Sequence, residues 1–529
     1  MKKLFIAIII LCIFSKNNAQ NTLNQRYTLG YLNTIFTGIY ATDSIIYIKG
    51  VYTDTTFAEG TFLAKFKKNG DLVAKTEYYK GYKIESSSWF PELLLNASGN
   101  FVITGYQVIQ TEPDTFYRSG FMIEMSEQGV LLNETFFESP YVPLGEDFIS
   151  PLSIIIAKNG DYIMAGNISG KQKKSGFVAR FDPNFEQKWI LPIGDTILYE
   201  IMRSVTELDN GNIVIGGGIN YGYIGQQLPI RHYTVTVDSA GQQVLDQWQS
   251  PMVWVPEGGG VLWDLLPQTD GSIIAAGSVT KETYVNADNN FVKDHPAVIK
   301  INANKTIGWK NKMGLGYYRF GGNNFLTQLL QADDGNIIAA GAGVGTYSTP
   351  DTTVFLSAGL IEKLSPQGDS IWLRYLYHPP INGRDSDHQI TGIAEAPDNS
   401  GYWICGQAIV ALPGVPYQQG WLLFVDNYGC MVPGCQLVGT QEKGADIGAN
   451  ILVYPNPVSS SLAVFHAGYP FSKGRFRIVS TEGRIMQEWI SALDDVTDVL
   501  EVNTFAPGTY WLQYEENGVV LASKQVVKM

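Results

Sequence analysis

The sequence is poor in charge, and above all in basic residues. Charged residues make up 16% of the 529 residues, and 37 Lys and Arg face 50 Asp and Glu, giving a net charge of −13. A nucleic-acid-binding protein needs a basic face for the phosphates, so this composition disfavours a nucleic-acid partner. Histidine is also scarce, with five in the chain, and no HExxH, GxSxG or P-loop pattern occurs. No catalytic motif therefore points to an enzyme class.

Long apolar runs are missing except at the N-terminus. Lys2 and Lys3 precede the apolar stretch Leu4–Phe14, which is too short to span a bilayer but suits the core of a signal peptide. Asn17-Asn18-Ala19 is a plausible cleavage site, so residues 1–19 are predicted to be removed. No later segment is apolar enough to cross a membrane, so we expect no transmembrane segment after signal removal.

Cysteine is rare, with four in the chain, and Cys12 leaves with the signal peptide. Cys430 and Cys435 lie five residues apart in YGCMVPGC, with Pro433-Gly434 bending the chain between them. In an exported protein this spacing favours a local disulfide. Cys405 stands beside Trp403 and Ile404, which favours a buried free thiol.

Glycine is abundant, at 55 residues, and much of it falls in a repeat. The clearest copy is QADDGNIIAAG, residues Gln331–Gly341, where Asp334-Gly335 predicts a two-residue hairpin turn before a β-branched strand. The copies end at glycines spaced 51 to 65 residues apart: Gly50, Gly105, Gly166, Gly217, Gly277, Gly341 and Gly406. Seven copies at this spacing indicate a repeat architecture.

Each copy is followed by a second alternating segment, such as Phe62–Val73 or Ala297–Trp309. One repeat therefore predicts four antiparallel strands, and seven repeats predict an all-β fold, a seven-bladed β-propeller over residues 20–437, with six or eight blades as the alternatives. The last repeat lacks a fourth strand, which Arg26–Leu32 could supply to lock the ring. The fourth strands often carry a tryptophan, and we expect these residues to pack between blades: Trp189, Trp248, Trp309 and Trp372.

Propeller geometry separates the short turns from the long connections. The strand two–three loops and the blade-to-blade connections should share one face, named here the long-loop face, and this is where a rigid scaffold presents binding groups. Aromatic side chains are frequent in these segments, and they suit a glycan or a protein partner at the cell surface. The candidate binding residues are Tyr221, Tyr223, Tyr284, Trp254, Tyr347 and Tyr417.

The last 79 residues differ in character from the repeats. A polar, Gly-rich linker is predicted at 438–450, and 451–529 shows alternating strands that suit a small Ig-like β-sandwich. Its motifs run in order from the opening YPNP to the basic last strand: Tyr454, Pro455, Asn456, Pro457, Gly483, Arg484, Gly508, Tyr510 and Lys524.

These motifs resemble the type A C-terminal sorting domain of proteins exported by the Bacteroidetes type IX secretion system. The resemblance covers about 75 residues at the end of the sequence. It implies that the secretion machinery is a partner, and that the protein is exported through the periplasm to become secreted or attached to the outer cell surface.

Two functions remain open on the sequence. The first is a non-catalytic binding protein that uses the long-loop face. The second is a secreted hydrolase or lyase with carboxylates at the propeller centre, near Asp264, Asp385 and Asp387. The segment Asp385–His388 could hold a metal, but it suits a solvated loop better, and Asn286–Asn290 lacks the glycine of a calcium loop. We expect no metal and no cofactor.

Overall fold

The computed structural model describes residues 23–529 except 79–82, 86–91, 113–114, 139–147, 171–172, 195–198, 221–229, 251–259, 286–289, 314–316, 319–323, 349–352, 379–385, 411–416, 433–450, 467–470, 482, 492–495 and 517–518. The predicted signal peptide and linker lie outside these residues. Within them the fold is all-β, with one short 3₁₀ helix and no α-helix. The described part of the chain contains no helix long and apolar enough to cross a membrane.

All but two short ones of the strands described before residue 433 belong to groups of four. They are β1 (Asn24–Tyr27), β2 (Asn33–Ala41), β3 (Ile45–Thr53), β4 (Glu59–Lys67), β5 (Leu72–Tyr78), β6 (Lys83–Glu85), β7 (Leu94–Leu95), β8 (Phe101–Glu112), β9 (Thr115–Met125), β10 (Leu131–Phe137), β11 (Phe148–Ile156), β12 (Tyr162–Gly170), β13 (Lys173–Phe181), β14 (Gln187–Ile193), β15 (Tyr199–Glu207), β16 (Ile213–Asn220), β17 (Arg231–Val237), β18 (Val244–Gln249), β19 (Leu262–Pro267), β20 (Ile273–Val285), β21 (Asn290–Ile301), β22 (Ile307–Lys312), β23 (Tyr317–Tyr318), β24 (Phe325–Gln331), β25 (Ile337–Ser348), β26 (Thr353–Leu364), β27 (Ser370–Leu376), β28 (Ser386–Glu395), β29 (Gly401–Val410) and β30 (Gln418–Asp426).

Pairing of these strands gives seven four-stranded blades. Six blades are continuous in the chain, namely β2–β5, β7–β10, β11–β14, β15–β18, β19–β22 and β24–β27. The seventh combines β28, β29 and β30 with β1, which pairs antiparallel with β30. The prediction that the N-terminal segment closes the ring is confirmed, although the strand is Asn24–Tyr27 rather than Arg26–Leu32. Leu29 and Gly30 have positive φ and form a turn after it.

Seven apolar clusters fill the seven junctions between neighbouring blades. Ile39 and Phe66 of blade one pack with Leu422 of blade seven, for example, and Val214 of blade four packs with Leu265 of blade five. The other five junctions are filled in the same way. Each sheet therefore buries both faces, which is why the apolar runs of the inner strands are nearly continuous. A closed ring is the arrangement that leaves no blade face exposed to water.

The glycine that ends each repeat has a specific backbone role. In six blades it pairs with the residue just before a β-bulge in the innermost strand, as Gly217 does with Met202 and Gly341 with Leu326. A Cβ atom at Gly217 would overlap the carbonyl oxygen of Ile201, and the glycines of the other five blades meet the equivalent oxygen. Only glycine fits where the bulge brings two backbones this close. The partner of Gly105 on the inner strand lies outside the described residues.

The hairpin turn inside each repeat is longer than the predicted two-residue turn. The N–H of Ala332 bonds to the carbonyl of Asn336, and Gly335 adopts a positive φ of 82°. The turn is therefore a corner at Asp333-Asp334 followed by a left-handed glycine, a common form in hairpins with a bulge. Asp334 takes part as predicted, but as a corner residue.

The fourth strand of each blade contacts the strand three–four turn of the next blade. Trp189 lies against Gly241, Trp309 against Gly368 and Trp372 against Gly429. At the junction that closes the ring, the Tyr27 hydroxyl donates to the carbonyl of Gly70 over 2.8 Å. The predicted inter-blade packing of these tryptophans is thus confirmed.

Trp248 is an exception to their common position. The other three tryptophans pair with the strand-three residue just before a register shift, whereas Trp248 lies two residues further on. Asp246 occupies the common position instead, and it forms a salt bridge of 3.1 Å with Lys305 of the next turn.

The described residues from 451 onward form a two-sheet sandwich. Its elements are β31 (Ile451–Tyr454), β32 (Ser461–His466), a 3₁₀ helix (Phe471–Lys473), β33 (Arg475–Ser480), β34 (Ile485–Trp489), β35 (Val496–Glu501), β36 (Gly508–Glu516) and β37 (Val519–Lys528). One sheet has the order β31-β32-β35 and the other β34-β33-β36-β37. Leu462 and Val464 of the first sheet pack with Phe476, Ile478 and Leu512 of the second, as their alternation predicted.

Candidate functional site

The innermost strands carry a row of equivalent residues at the propeller centre. Each is the first residue after the bulge, or its equivalent in blade two by register with β8: Gly38, Glu92, Ser153, Ser204, Asp264, Gln328 and Gly392. Where this side chain is long or acidic, it accepts a backbone N–H from the next blade. Gln328 accepts from Ile393 over 2.6 Å, and Glu92 accepts from Ile154. The row therefore ties neighbouring blades together at the axis.

Asp264 is the member of this row that accepts hydrogen bonds with both of its side-chain oxygens. One carboxylate oxygen accepts the N–H of Leu265 over 2.8 Å, and the other accepts the N–H of Leu329 in the next blade over 2.7 Å. Desolvation at this position raises the pKa of Asp264 from 3.8 to about 7, although the hydrogen bond from Leu329 opposes the shift and the charge of Glu92 adds a smaller increase. Both oxygens thus serve the blade junction, and the carboxyl group titrates near neutrality.

Glu92 lies beside the one buried lysine that the described residues place in this region. The Lys49 ammonium is 3.5 Å from the carbonyl oxygen of Glu92. Burial lowers the pKa of Lys49 to about 8 and raises the pKa of Glu92, while the attraction between the two groups opposes both shifts. This pair joins blades one and two near the axis, where an unpaired charge would be costly.

Asp387 and His388 lie in strand β28, not in the solvated connection that the sequence predicted. Asp387 accepts the N–H of Ser357 over 3.1 Å, and the buried His388 ring packs edge-on against Trp421 at 4.9 Å. Asp387 is five residues before Gly392, so roughly 15 Å separates it from the level of Asp264 at the rise of a β-strand. The structure does not bring Asp264 and Asp387 together, and Asp385 lies outside the described residues.

The described residues contain no group of three or more His, Cys, Asp or Glu side chains that could hold a metal ion. The Asn286–Asn290 segment falls largely on undescribed residues. Cys405 is a buried free thiol, as predicted. Cys430 is disulfide-bonded, and Cys435 lies outside the described residues, so their pairing stays a prediction.

Several long loops of the sequence interpretation prove to be β-hairpins. Strands β8 and β9 stay paired as far as Glu112 and Thr115, β20 and β21 as far as Val285 and Asn290, and β25 and β26 as far as Ser348 and Thr353. The segments predicted as loops therefore continue the strands of the blades into the long-loop face.

The predicted binding aromatics are distributed unevenly in the structure. Tyr284 and Tyr347 lie near the ends of β20 and β25, opposite Phe291 and Val354. Tyr417 immediately precedes β30, where its carbonyl accepts the N–H of Val410, and 56% of its surface is exposed. Tyr221, Tyr223 and Trp254 lie outside the described residues.

Phe57 belongs to the long-loop face and was missed by the sequence interpretation. It occupies the strand two–three turn of blade one and is 78% exposed. Its φ is 65°, in the left-handed region that bulky residues rarely adopt. The Asp54 carboxylate fixes the turn by accepting the N–H groups of Thr56 and Ala58. The Asp-x-Thr spacing signals such a turn and would have located the residue.

The opening motif of the second domain holds the C-terminal strand. The Asn456 side chain donates to the carbonyl of Gln525 over 2.7 Å and accepts the N–H of Val527 over 2.8 Å. Val458 continues the contact by bonding to Val527 and Met529. The first and last motifs therefore form one structural unit.

The remaining motif residues lie on or beside the same sheet. Gly483 adopts a φ of 82° in the turn before β34, and Arg484 follows it on the surface. The Tyr510 hydroxyl donates to the carbonyl of Ala506 over 2.8 Å, and Lys524 pairs with Leu512. Gly508 begins β36, and Tyr454 ends β31, from which Pro455 leads to Asn456 and Pro457.

Comparison with known families decides the nature of this second domain. Residues 452–528 match the family model described as a secretion system C-terminal sorting domain. These residues are a type IX sorting domain. The sorting domain indicates export, with secretion or attachment at the cell surface, and the type IX machinery as a partner.

Comparison for the whole chain is less informative. The sequence has no significant match among curated proteins. Among solved structures, polysaccharide lyase Uly1 shares 9% identity over 74% of this chain and 90% of its own, with a TM-score of 0.42. Penicillium chrysogenum alpha-L-arabinanase complexed with arabinobiose shares 10% identity over 74% of this chain and 93% of its own, with a TM-score of 0.36. Synechocystis apocarotenoid oxygenase shares 12% identity over 65% of this chain and 71% of its own, with a TM-score of 0.37. These low scores carry no argument about the activity of the propeller that precedes the sorting domain.

Proposed function

We propose that the protein is an exported, non-catalytic binding protein whose propeller presents the long-loop face to an extracellular ligand. The domain boundaries that go with this proposal are 1–19 for the signal peptide, 20–437 for the propeller, 438–450 for the linker and 451–529 for the sorting domain. The sorting domain carries the protein out of the cell, and the propeller supplies the recognition surface.

The observation that carries the proposal is the exposure of aromatic side chains on this face. Phe57 and Tyr417 hold large apolar surfaces in water, and neither contributes to an apolar cluster between blades. Exposed aromatic groups on a rigid scaffold are typical of binding surfaces, because they offer contact area at little cost in side-chain entropy.

The hydrolase or lyase alternative gains no specific support from the described residues. It requires a carboxylate with oxygens free for a substrate, and Asp264 is half-buried with both oxygens already bonded to backbone N–H groups. A general acid or base must instead have an open approach to the proton it transfers.

The experiment uses the mature, exported full chain in two assays. Ligand binding is measured on an array of saccharides and by capture of surface proteins, and turnover is measured as release of reducing ends or unsaturated sugars. We expect binding without turnover. Turnover that disappears in Asp264→Asn but persists in Asp270→Asn, a change in an exposed turn, would establish the enzyme and overturn the proposal.

A further inference from the structure

Phe57 differs from Phe185, which has a φ of 70° in the same kind of turn but is buried in the apolar core. A phenylalanine at a φ of 65° costs on the order of 1 to 2 kcal/mol relative to glycine, and its ring remains 78% exposed. Backbone strain of this kind persists where the surrounding structure enforces it, and it concentrates at functional sites. The enforcing contact here is the carboxylate of Asp54, which also bonds to the Thr56 hydroxyl over 2.7 Å.

Tyr417 lies close to this turn, across the junction that closes the ring. Asn33 pairs with Thr53 on one side and with Gln418 on the other, and its side-chain oxygen accepts the N–H of Gln418 over 3.2 Å. Thr53 and Gln418 are therefore about 10 Å apart, at two strand spacings. Tyr417 precedes Gln418, and the Asp54–Ala58 turn follows Thr53, so both exposed rings border the same edge.

The connection from β1 to β2 joins blade one beside this turn, since the N–H of Leu32 bonds to the carbonyl of Thr53 over 2.9 Å. Tyr31 and Tyr52 stack at 4.3 Å with an angle of 15°, and the Lys75 ammonium covers the Tyr31 ring at 3.9 Å. Lys75 also bonds to the carbonyl of Leu29 over 3.2 Å and lies 3.0 Å from Glu77. Cation–π contact and stacking hold this connection in place, so the edge is formed before any ligand arrives.

Resting on the proposed function, we infer that Phe57 and Tyr417 form a saccharide-binding platform at the junction of blades seven and one. The two aromatic rings offer flat apolar faces to sugar C–H groups. The polar groups between and beside them, including Asn33, Asp54 and Gln418, offer hydrogen bonds to hydroxyls, in the pattern of apolar walls with few polar groups that small-ligand sites use.

The charge of the platform selects among saccharides. Asp54 lies in the turn that carries Phe57, Glu59 follows that turn opposite Thr53, and the nearby Lys75 is already engaged with Glu77 and Tyr31. Acidic groups repel uronate, sulfate and phosphate substituents. The platform therefore fits a neutral oligosaccharide of at least two rings, since Thr53 and Gln418, which lie next to the two aromatic residues, are already about 10 Å apart.

The test compares three variants of the mature full chain on an array of neutral oligosaccharides, followed by calorimetry on each saccharide that binds. Phe57→Ala and Tyr417→Ala each remove one ring of the platform. Tyr428→Ala is the matched control, because Tyr428 is also in blade seven and 54% exposed but lies on the opposite face. We expect Phe57→Ala and Tyr417→Ala each to raise Kd roughly tenfold or more, and Tyr428→Ala to leave it unchanged.

Folding is checked with Phe57→Gly, which removes the ring and the backbone strain together. This variant should melt no lower than the wild type and still lose binding, a result that a structural role for Phe57 cannot produce. Saccharide binding that survives both platform changes would overturn this site and leave the proposed function standing. A wild-type protein that binds a surface protein but no saccharide would overturn the ligand class, and one that binds nothing would overturn both.

Discussion

Asp264 makes the stability of the propeller depend on pH in an unusual direction. The folded protein raises the pKa of this carboxyl group from 3.8 to about 7. Between these two values the folded state holds a proton that the unfolded chain has released, so the free energy of unfolding falls as pH rises. The contribution is fully present below pH 4 and is lost once pH exceeds 7.

Replacement of Asp264 by asparagine should remove this dependence. One pKa unit corresponds to about 1.4 kcal/mol, so the two units between pH 5 and pH 7 are worth roughly 3 kcal/mol of unfolding free energy. An amide oxygen can keep one of the two backbone N–H bonds, as Gln328 does at the equivalent position in blade six, and the loss of the other lowers stability by the same amount at every pH. The variant should therefore gain roughly 3 kcal/mol on the wild type between pH 5 and pH 8.

The assay is urea unfolding of the mature chain at pH 5, 6, 7 and 8, followed by tryptophan fluorescence. Asp270→Asn is the control, because hydrogen bonds from Ser272 lower the pKa of this exposed group to about 2. The stability that Asp270 contributes is lost only as pH falls toward 2, so its variant should keep the wild-type slope above pH 5. Equal slopes for wild type and Asp264→Asn would refute the role assigned to this carboxyl group.

Three further predictions concern the glycine backbone positions, the contact of Asn456 with the C-terminal strand, and the export of the protein. Gly217→Ala should lower the free energy of unfolding by more than about 3 kcal/mol, because its Cβ would overlap the Ile201 carbonyl, whereas Gly335→Ala, with open space around it, should cost about 1 kcal/mol; thermal melts that rank them the other way would contradict the bulge argument. Asn456→Ala should increase hydrogen exchange at Val527, whose N–H it leaves unpaired. Unchanged exchange there would exclude the hydrogen bond between Asn456 and the C-terminal strand. Deletion of 451–529 should leave the protein in the periplasm, and its appearance in the medium or on the cell surface would exclude the sorting role.

The number of blades could be predicted from the sequence because the glycine that marks each blade is required by local backbone structure. Gly217 and its equivalents are required by the backbone of a single hairpin, so each blade repeats the residue regardless of its neighbours. The turn residues behave in the same way, although the corner at Asp333-Asp334 shows that a short motif does not fix the exact turn. The tail was recognisable because its motifs are tied to each other, as the contact of Asn456 with Val527 illustrates.

The residues of the candidate site were harder to predict from the sequence, for a physical reason. Asp264 acts on Leu329, 65 residues away in the next blade, and no periodicity within a blade reports a contact between blades. Trp248 is displaced by two residues because Asp246 and Lys305 replace the tryptophan contact at that junction. Phe57 follows the most degenerate copy of the repeat, where the pattern that identified the other turns is weakest.

The closing strand also sets the order in which the propeller can be completed. Asn24 accepts a hydrogen bond from the Trp421 indole, 397 residues along the chain, and the entropy lost in bringing such distant segments together is on the order of 5 kcal/mol. The first strand to be synthesised must therefore wait until the seventh blade exists. Until β1 pairs with β30, the apolar faces at which blades one and seven meet are exposed, and the partly assembled ring is the form most open to aggregation and proteolysis. Ring closure is consequently the slow step that we expect to limit the rate of folding.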